Sequence, residues 1–283
     1  NEMFASEFIL LGFTTRAELR VVFFVLFLAI YVVTLLGNLG VIVLIRMDPR
    51  LHTPMYFFLS HLSLLDICYS STIIPRSLRD FLAEKKEISF ARCVTQCWVL
   101  LFSFATWAST ECYVLAAMAY GRYVAICRPL LYSVLTSQRI CLGMLAGVHL
   151  AGVLSSILHT VSIFHAPFCR SQATDHFFCD GALSLALSCS DTRASEAVVA
   201  IMVGFNVLST MAFILVSYSS ILRHKALSTC ASHLASIALY YGSTILTYLR
   251  PVSSRSSEQD EVLSLLCSIA VPVLNPFVYS LRD

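Results

Sequence analysis

The stretch VVFFVLFLAIYVVTLLGNLGVIVLI, residues 21–45, decides the fold, because it runs for 25 residues without a charged side chain. A helix needs about 20 mostly apolar residues to cross the hydrocarbon core of a bilayer. A surface helix of a soluble protein would instead carry a charged or polar face along its length. We therefore interpret residues 21–45 as a membrane-spanning helix.

Six further stretches share this length and apolar character. The whole chain is 58% hydrophobic and 13% charged, with a mean hydropathy of +0.78, which is too apolar for a soluble core. The sequence therefore predicts an all-α membrane protein in which residues 1–283 form one seven-helix domain in the lipid bilayer. The six further spans cover approximately 55–78, 96–119, 140–163, 196–218, 226–249 and 262–281.

Two acids lie inside predicted spans, where a charged group is costly and calls for a reason. Asp66 is midway along the second span, and Glu111 is in the lower half of the third. One interpretation is a cation site or a proton-sharing pair at the centre of the bundle. The alternative is that each acid is a hydrogen-bonded packing group that holds helices together. His149 and His159 of the fourth span are weaker signals, which we interpret as polar packing residues.

A proline interrupts the seventh span at Asn275-Pro276, one turn after Pro272. Proline frees a backbone carbonyl and bends a helix, which a membrane tolerates only where neighbours pair the freed groups. We expect Asn38, Asp66 and Asn275 to meet in one polar network. A bend beside buried polar groups is suited to act as a hinge between two states.

Cysteines orient the bundle, because the Lys and Arg residues on its two faces do not decide the orientation. Three cysteines lie in the joint after the fourth span, and two more lie near the same level. Such a cluster suits disulfide bonds, which persist in an oxidising compartment. We therefore expect this face to be extracellular and the amino terminus to lie outside a cell membrane that the chain crosses several times. The five are Cys93, Cys97, Cys169, Cys179 and Cys189.

Several strings, taken together, resemble the olfactory receptor family of rhodopsin-like G-protein-coupled receptors. They occur at both ends of the chain and in nearly every predicted helix. The joint after the sixth span is short, as in the tetrapod-type branch of that family. The strings are EFILLGF at 7–13, GN at 37–38, LHTPMYFFL at 51–59, MAYGRYVAIC at 118–127, SY at 217–218, KALSTCASHL at 225–234 and PVLNPFVYSLR at 272–282.

This resemblance implies a receptor for small volatile odorants in olfaction, which would activate a stimulatory, olfactory-type heterotrimeric G protein and raise cyclic AMP. It also implies a ligand cavity among the third, fifth, sixth and seventh spans. The residues that would line this cavity are apolar and aromatic with few polar anchors, as in small-molecule pockets. They carry no permanent charge, so we expect a neutral ligand. The implied lining residues are Leu101, Phe104, Ala105, Ala108, Ser109, Val199, Met202, Val203, Asn206, Tyr241, Ile245 and Tyr248.

The resemblance assigns further roles by position. Asp66 and Glu111 match acids near a sodium site, so a sodium ion is the one modulator that we expect and no other cofactor. The residues that match the family's switch and G-protein-coupling positions are Arg122, Tyr218, Asn275, Pro276 and Tyr279.

The family's disulfide pattern leaves a choice in this sequence. Cys93 fits the local string that precedes it, whereas Cys97 has the usual distance before Arg122. The two are one helical turn apart, so both can face Cys179. We prefer Cys97 with Cys179 on the geometry of the span, and we expect a second bridge between Cys169 and Cys189.

Two features depart from the family pattern on the side expected to be cytoplasmic. Gly121 occupies the position before Arg122 where the family usually has Asp, so the arginine lacks its nearest countercharge. Only residues 219–224 separate Tyr218 from Lys225, where the family has roughly ten more residues. A signalling-impaired or truncated receptor copy is therefore one alternative.

A membrane transporter is the other alternative, because buried acids and interrupted helices also mark ion pathways. We do not expect the chain to be an enzyme, because its sequence has no metal-ligand spacing, phosphate-binding glycine loop or nucleophile–base pair. We expect no nucleic-acid partner either.

Overall fold

Seven helices of eleven or more residues make up most of the part of the chain that the structure describes. A computed structural model describes residues 7–10, 17–82, 87–164, 173–174, 193–224, 230–248 and 269–279. Each of the seven helices overlaps one predicted span, so the all-α membrane fold is confirmed. They are α1 (Ala17–Met47), α2 (Pro54–Leu82), α3 (Phe90–Cys127), α4 (Gln138–Phe164), α5 (Arg193–Arg223), α6 (Ala231–Tyr248) and α7 (Ile269–Tyr279).

The outer faces of these helices are suited to lipid. Five helices, α1 to α5, are long and apolar enough to cross a membrane, and α7 is a shorter apolar helix. Large apolar side chains such as Leu36, Phe205 and Val216 are 66%, 70% and 67% exposed. Such an apolar surface around several helices is stable when hydrocarbon surrounds it. The chain is therefore a multi-pass membrane protein.

Two helices, α3 and α5, extend five or more residues past their predicted carboxyl-terminal ends. The third span was expected to end near residue 119, but α3 continues to Cys127, because the first strong breaker is Pro129. The residue before a proline is pushed out of the helical region, and Arg128 has φ −136° and ψ 50°. Similarly, α5 continues to Arg223, five residues past its predicted end at 218. Arg122 and Tyr218 therefore lie within helices.

A small three-stranded sheet joins three distant segments of the chain. The central strand, β1 (Glu7–Leu10), pairs antiparallel with β2 (Glu87–Ser89) and parallel with β3 (Ala173–Thr174). In the antiparallel pair, Glu7 is opposite Ser89. The sequence analysis did not predict this sheet, because each strand is too short to show an alternating pattern. Part of the 7–13 string therefore serves as its middle strand.

Helix α3 is the centre of the bundle, because α2, α4 and α5 all pack against it. Its inner part is almost solvent-free, with Val114, Leu115 and Ala119 at most 1% exposed. Small side chains at neighbouring positions let partner helices approach closely, as is usual in membrane bundles. Thr106 and Thr110 also return their hydroxyl protons to the carbonyls of Phe102 and Thr106. In this way α3 buries the hydroxyl groups of Thr106 and Thr110 with their protons paired.

Helix α4 approaches α3 closely at Gly152. A Cβ placed there would collide with Thr110 Oγ1 and lie 3.2 Å from the Thr106 carbonyl oxygen. One turn further along α4, Ser156 Oγ donates to the Phe102 carbonyl across a 2.6 Å hydrogen bond. The absence of a side chain at Gly152 therefore lets α4 reach the backbone of α3.

We predict that Gly152→Ala lowers the thermal unfolding midpoint of the purified chain. The added methyl group must displace Thr110 or separate the helices, which costs about 1–3 kcal/mol in a packed interior. Gly147→Ala is the matched control on the same helix, because a Cβ at Gly147 meets no atom within 4 Å. That control should be neutral or slightly stabilising. Equal midpoints for the two variants would contradict the close packing at Gly152.

Candidate functional site: a cavity within the helix bundle

A cavity of about 140 Å³ lies among α3, α4, α5 and α6, and side chains from α2 and α7 close it. An apolar cavity of roughly this size, about 150 Å³, is known to accept a molecule such as benzene. Its walls are mostly apolar and aromatic, and a few polar groups face inward, as in small-molecule sites. The arrangement is therefore suited to hold one small organic molecule.

Eight of the twelve predicted lining residues contact this cavity. All of them lie on α3 or α5, two helices whose faces toward each other are fixed by their direct packing. The fifth helix contributes one soft thioether and one amide, and the third contributes one hydroxyl and one aromatic ring. The eight residues are Leu101, Phe104, Ala105, Ala108, Ser109, Met202, Val203 and Asn206.

Helix α6 presents to the cavity a face next to the predicted one. Tyr240, Ser243 and Thr244 line the cavity instead of Tyr241 and Ile245. Ile245 is 43% exposed on the outer surface. One residue along a helix turns the side chain by about 100°, so an error of one position changes the face. The side chain of Tyr248 lies outside the described part of the chain.

Tyr241 is held away from the cavity by a hydrogen bond to α5. It is 2% exposed, and its hydroxyl donates to Thr210 Oγ1 at 2.7 Å. Val199, also predicted in the wall, is absent from the cavity lining. It lies one turn before Met202 and Val203, where α5 has moved past the cavity.

The sequence analysis missed the contribution of α4. Ser155 and His159 both line the cavity, and their separation of four residues places them on one helix face. His159 was interpreted as a packing residue, and the structure places it on the cavity wall. No apolar pattern on α4 reveals which face it turns inward. Tyr69 of α2 also lines the cavity and packs against Phe104 with ring centroids 5.2 Å apart. A histidine and a serine at a four-residue spacing were the signal that could have identified this face.

A chain of hydrogen bonds crosses three helices at one corner of the cavity. Tyr113 Oη donates to Asn206 Oδ1 at 2.5 Å, and Asn206 Nδ2 donates to Ser155 Oγ at 2.7 Å. Ser109 Oγ completes the chain by donating to Ser155 Oγ at 3.4 Å. We call Ser109, Tyr113, Ser155 and Asn206 the polar corner. These bonds fix the rotamer of Asn206, so it presents a defined set of polar atoms to the cavity.

The inner end of the cavity is formed by α3 and α6. Tyr240 Oη donates to the Ala108 carbonyl at 2.7 Å, and Cys112 Sγ lies 3.1 Å from Tyr240 Oη. Glu111 also lines the cavity, although the analysis of the sequence placed no charged group on its wall. Tyr240 therefore connects the cavity wall to the backbone of α3.

A buried polar cluster lies beside this inner end and joins α1, α2, α3 and α7. Asn38 Nδ2 donates to the Pro272 carbonyl at 2.9 Å, and Asn275 Nδ2 donates to both Asp66 oxygens at 3.0 and 3.3 Å. The predicted meeting of these helices is therefore present. Glu111 is near enough to interact electrostatically with Asp66, and both carboxyl groups are at most 4% exposed.

The comparison with known proteins identifies the family. The olfactory receptor family model matches residues 27–283. The chain belongs to the olfactory receptor family. Its rhodopsin-like, seven-helix architecture and its place among G-protein-coupled receptors of sensory transduction follow from this membership. The family consists of receptors and not enzymes, and the transporter alternative loses its support.

Individual olfactory receptors are similar to this chain over nearly their whole length. Human olfactory receptor 5F1 is 48% identical over 98% of this chain and 91% of its own. Human olfactory receptor 5AR1 is 47% identical, covering all of this chain and 94% of its own. Mouse olfactory receptor 8U3 is 45% identical over all of this chain and 91% of its own. The alignments with 5AR1 and 8U3 have 294 positions, more than the 283 residues of this chain, so it lacks short segments that these relatives have.

Three of the predicted switch residues come together at the opposite end of the bundle from the sheet, namely Arg122, Tyr218 and Tyr279. Tyr218 Oη and His233 Nδ1 are 2.6 Å apart and join α5 to α6. Arg122 of α3 interacts electrostatically with Tyr218, His233 and Tyr279. We call these four residues the Arg122 cluster. His233 was not among the predicted switch residues, although it lies within the 225–234 string that the family shares.

Pro276 of α7 packs against a glycine of α1. A Cβ at Gly37 would lie 3.2 and 3.3 Å from the Cβ and Cγ atoms of Pro276. These distances are tighter than ordinary van der Waals contact, so the lack of a side chain at Gly37 permits the contact. The Gly37-Asn38 string therefore has two structural purposes, since Asn38 pairs the carbonyl of Pro272.

The predicted disulfide bonds lie outside what the structure describes. Residues 169, 179 and 189 are outside the described ranges, as are the side chains at positions 93 and 97. Cys68, Cys112, Cys127, Cys141 and Cys230 are unbridged. Their positions within or beside helices agree with the packing role that small apolar side chains usually have.

Proposed function

We propose that the chain is an odorant receptor that binds small, neutral, volatile molecules in the cavity among α3, α4, α5 and α6. One observation carries this proposal: side chains of separate helices that the family resemblance assigned to ligand binding line one cavity of about 140 Å³. These lining residues are mostly apolar, so water in the cavity would gain few hydrogen bonds from them. A small ligand fills this space and supplies van der Waals contacts that the lining atoms otherwise lack.

A sodium ion is the modulator that the buried polar cluster favours. Among the described side chains, Asn38 Oδ1, Glu111 Oε1 and Asn275 Oδ1 are buried oxygen atoms with no hydrogen-bond partner. Oxygen atoms of carboxylates and amides are the ligands that hard cations take. Within the described residues, no group of three or more His, Cys, Asp or Glu forms a metal site, which favours a monovalent ion over a divalent or transition metal. A cation there would balance the Glu111 charge and leave the cavity suited to a neutral ligand.

The proposal places the Arg122 cluster on the cytoplasmic side and the amino terminus outside the cell. Arg122 would change partners when α5, α6 and α7 move, and would then contact a stimulatory, olfactory-type G protein that raises cyclic AMP. The Tyr218–His233 bond and the contacts of Arg122 with Tyr218 and Tyr279 support this, because they link the moving helices at one point. A switch of this kind needs two alternative arrangements of the contacts that Arg122 makes with neighbouring helices.

A signalling-impaired receptor copy is the second candidate function, and one observation favours it. Helix α5 ends at Arg223 and α6 begins at Ala231, so only residues 224–230 join them. A connection this short restricts how far the two helix ends can separate. Together with the glycine at position 121, this restriction would affect coupling while leaving the cavity intact.

Odorant binding in the cavity predicts that Met202→Trp abolishes the response to agonists. In cells that express the chain with a cyclic AMP reporter, a chemically diverse odorant panel should give at least one response. Tryptophan at position 202 fills much of the space that the ligand would occupy. Ile201→Trp is the matched control, because Ile201 is 69% exposed on the outer face of the same helix, and its response should be close to that of the unchanged chain.

A version with a relative's longer loop between α5 and α6 separates the two candidate functions. A response only in this version would favour the signalling-impaired copy. Silence of both versions, with surface expression confirmed by an antibody to an amino-terminal tag, would contradict the odorant-receptor proposal.

The sodium proposal predicts that NaCl raises the thermal unfolding midpoint of the purified chain above its value in choline chloride at equal ionic strength. A ligand that binds only the folded state stabilises it by an amount that grows with the logarithm of its concentration relative to its dissociation constant. Asp66→Asn should abolish this difference, because it removes the charge and keeps a side chain of similar shape beside Asn275. Identical midpoints in the two salts for the unchanged chain would rule out the sodium site.

The glycine at position 121 predicts a raised basal signal. Gly121→Asp should lower basal cyclic AMP by several-fold per receptor at the cell surface, because a carboxylate next to Arg122 favours its inactive position. A Cβ at Gly121 meets no atom within 4 Å, so the new side chain fits without moving neighbours. Gly121→Asn is the uncharged control and should leave most of the basal signal. An unchanged basal signal in Gly121→Asp would show that the missing acid has no effect.

A further inference from the structure

The polar corner has more hydrogen-bond donors than the protein uses. Two serines, one tyrosine and one asparagine carry five donor protons in total, and three hydrogen bonds among them use three. In the described part of the chain, no other hydrogen bond is found for these four side chains. Two donor protons therefore remain, whichever way the asparagine amide is turned.

The unused donors lie where a ligand can reach them. Ser109, Ser155 and Asn206 all line the cavity. Ser155 accepts from both Asn206 and Ser109, so its own hydroxyl proton points away from them. Most helical serines and threonines near this site return their proton to a backbone carbonyl, as Thr106, Thr110 and Ser156 do. Ser155 makes no such bond among the described hydrogen bonds.

His159 adds a third donor to the same wall. It lies one turn after Ser155 on α4 and lines the cavity, and no hydrogen-bond partner is found for it among the described residues. A neutral imidazole carries one N–H donor and one acceptor nitrogen. Two neighbouring turns of α4 thus present donors to the cavity, and the family resemblance had assigned no ligand contact to this helix.

Unpaired donors and unpaired acceptors do not have equal consequences. A buried N–H or O–H without a partner loses its only hydrogen bond, whereas the oxygens of Asn206 and Ser155 already accept at least one. Buried donors without partners are accordingly rarer in proteins than under-used acceptors. A ligand that brings an acceptor therefore gains more at this corner than a ligand that brings a donor.

The rest of the wall restricts the remainder of the ligand. Elsewhere in the wall, Leu101, Phe104 and Met202 supply apolar and aromatic surface. The hydroxyls of Ser243 and Thr244, which also line the cavity, both donate to the Tyr240 carbonyl, so they offer the ligand no further proton. The cavity volume of about 140 Å³ leaves room for a short chain or a single ring.

We propose that this cavity selects small carbonyl compounds, namely ketones, aldehydes and esters that accept hydrogen bonds and donate none, through Ser155 and His159 of α4 together with Asn206 of α5. A carbonyl oxygen has two lone pairs and accepts from two of these donors at once. Tyr113 is a positioning residue, because it holds Asn206 in place without lining the cavity. This inference rests on the proposed function, since it assumes that the cavity is the odorant site.

A binding experiment on the purified full chain in lipid nanodiscs tests this selectivity. Matched compounds on hexane, cyclohexane and heptane skeletons are compared as ketone, alcohol, amine and parent hydrocarbon, with dissociation constants taken from concentration-dependent shifts of the thermal unfolding midpoint. The ketone of at least one skeleton should bind about tenfold or more tightly than the matched alcohol, amine and hydrocarbon. Tenfold corresponds to about 1.4 kcal/mol, in the range of one hydrogen bond in a buried site.

Variants on α4 assign the preference to named residues. Ser155→Ala should weaken binding of the preferred ketone about tenfold and leave binding of the matched hydrocarbon unchanged. His159→Phe should do the same, because it keeps an aromatic ring and removes the N–H donor. Ser162→Ala is the control, because Ser162 donates to the Leu158 carbonyl and does not line the cavity. Its affinities should equal those of the unchanged chain.

The outcomes separate failure of the selectivity from failure of the proposed function. Tightest binding by the alcohol or hydrocarbon of every skeleton would overturn the donor argument and leave the odorant site intact. Tightest binding by the amine would also overturn it, and would identify Glu111 as the group that selects the ligand. A folded chain that binds none of the compounds, nor any member of a diverse odorant panel, would contradict the proposed function itself.

Discussion

In hydrocarbon, a buried polar group must find its partner inside the bundle, and the arrangement of these helices depends on that constraint. Asn38 reaches the Pro272 carbonyl, and Asn275 reaches Asp66, so α1, α2 and α7 are joined through side chains that water cannot satisfy. Helix α3 lies at the centre because its small and hydroxyl-bearing residues pair with α4, α5 and α6 at successive turns. An unpaired polar group in hydrocarbon is costly, so each hydrogen bond between two helices helps to determine how those helices are positioned.

The two sites that we propose are places where this pairing is incomplete. At the polar corner, the protein leaves donors unused beside a cavity, and in the polar cluster it leaves oxygen atoms of Asn38, Glu111 and Asn275 without partners. The first arrangement suits a molecule that accepts hydrogen bonds, and the second suits a cation. The two sites share Glu111, which lines the cavity and interacts with Asp66. Under the two proposals, a cation in the polar cluster would change the charge that Glu111 presents to the cavity, and any coupling of the two binding free energies would be reciprocal.

The sequence predicted the number and order of the helices, because each apolar run is long enough to span a bilayer and nothing else explains it. It also identified the cavity faces of α3 and α5, whose positions follow the family strings closely. It failed on α6 because a helix face is set by packing, and an error of one residue exchanged Tyr241 for Tyr240. It missed Ser155 and His159 because hydrogen bonds from α3 and α5 to Ser155, not an apolar stripe on α4, mark the face of α4 that turns inward. The ends of α3 and α5 were misplaced because hydropathy falls before the helix does, and the stop at Pro129 is a matter of backbone geometry.

The most direct test of this account is an electron cryo-microscopy structure of the chain in lipid nanodiscs with an odorant that raises its thermal stability. The account predicts density for the ligand between Phe104 of α3 and Met202 of α5, with a polar atom of the ligand within hydrogen-bond distance of Ser155 or Asn206. It also predicts that Tyr240 stays bonded to the Ala108 carbonyl at the inner end of the cavity. Ligand density at any other place, with this cavity empty, would contradict it.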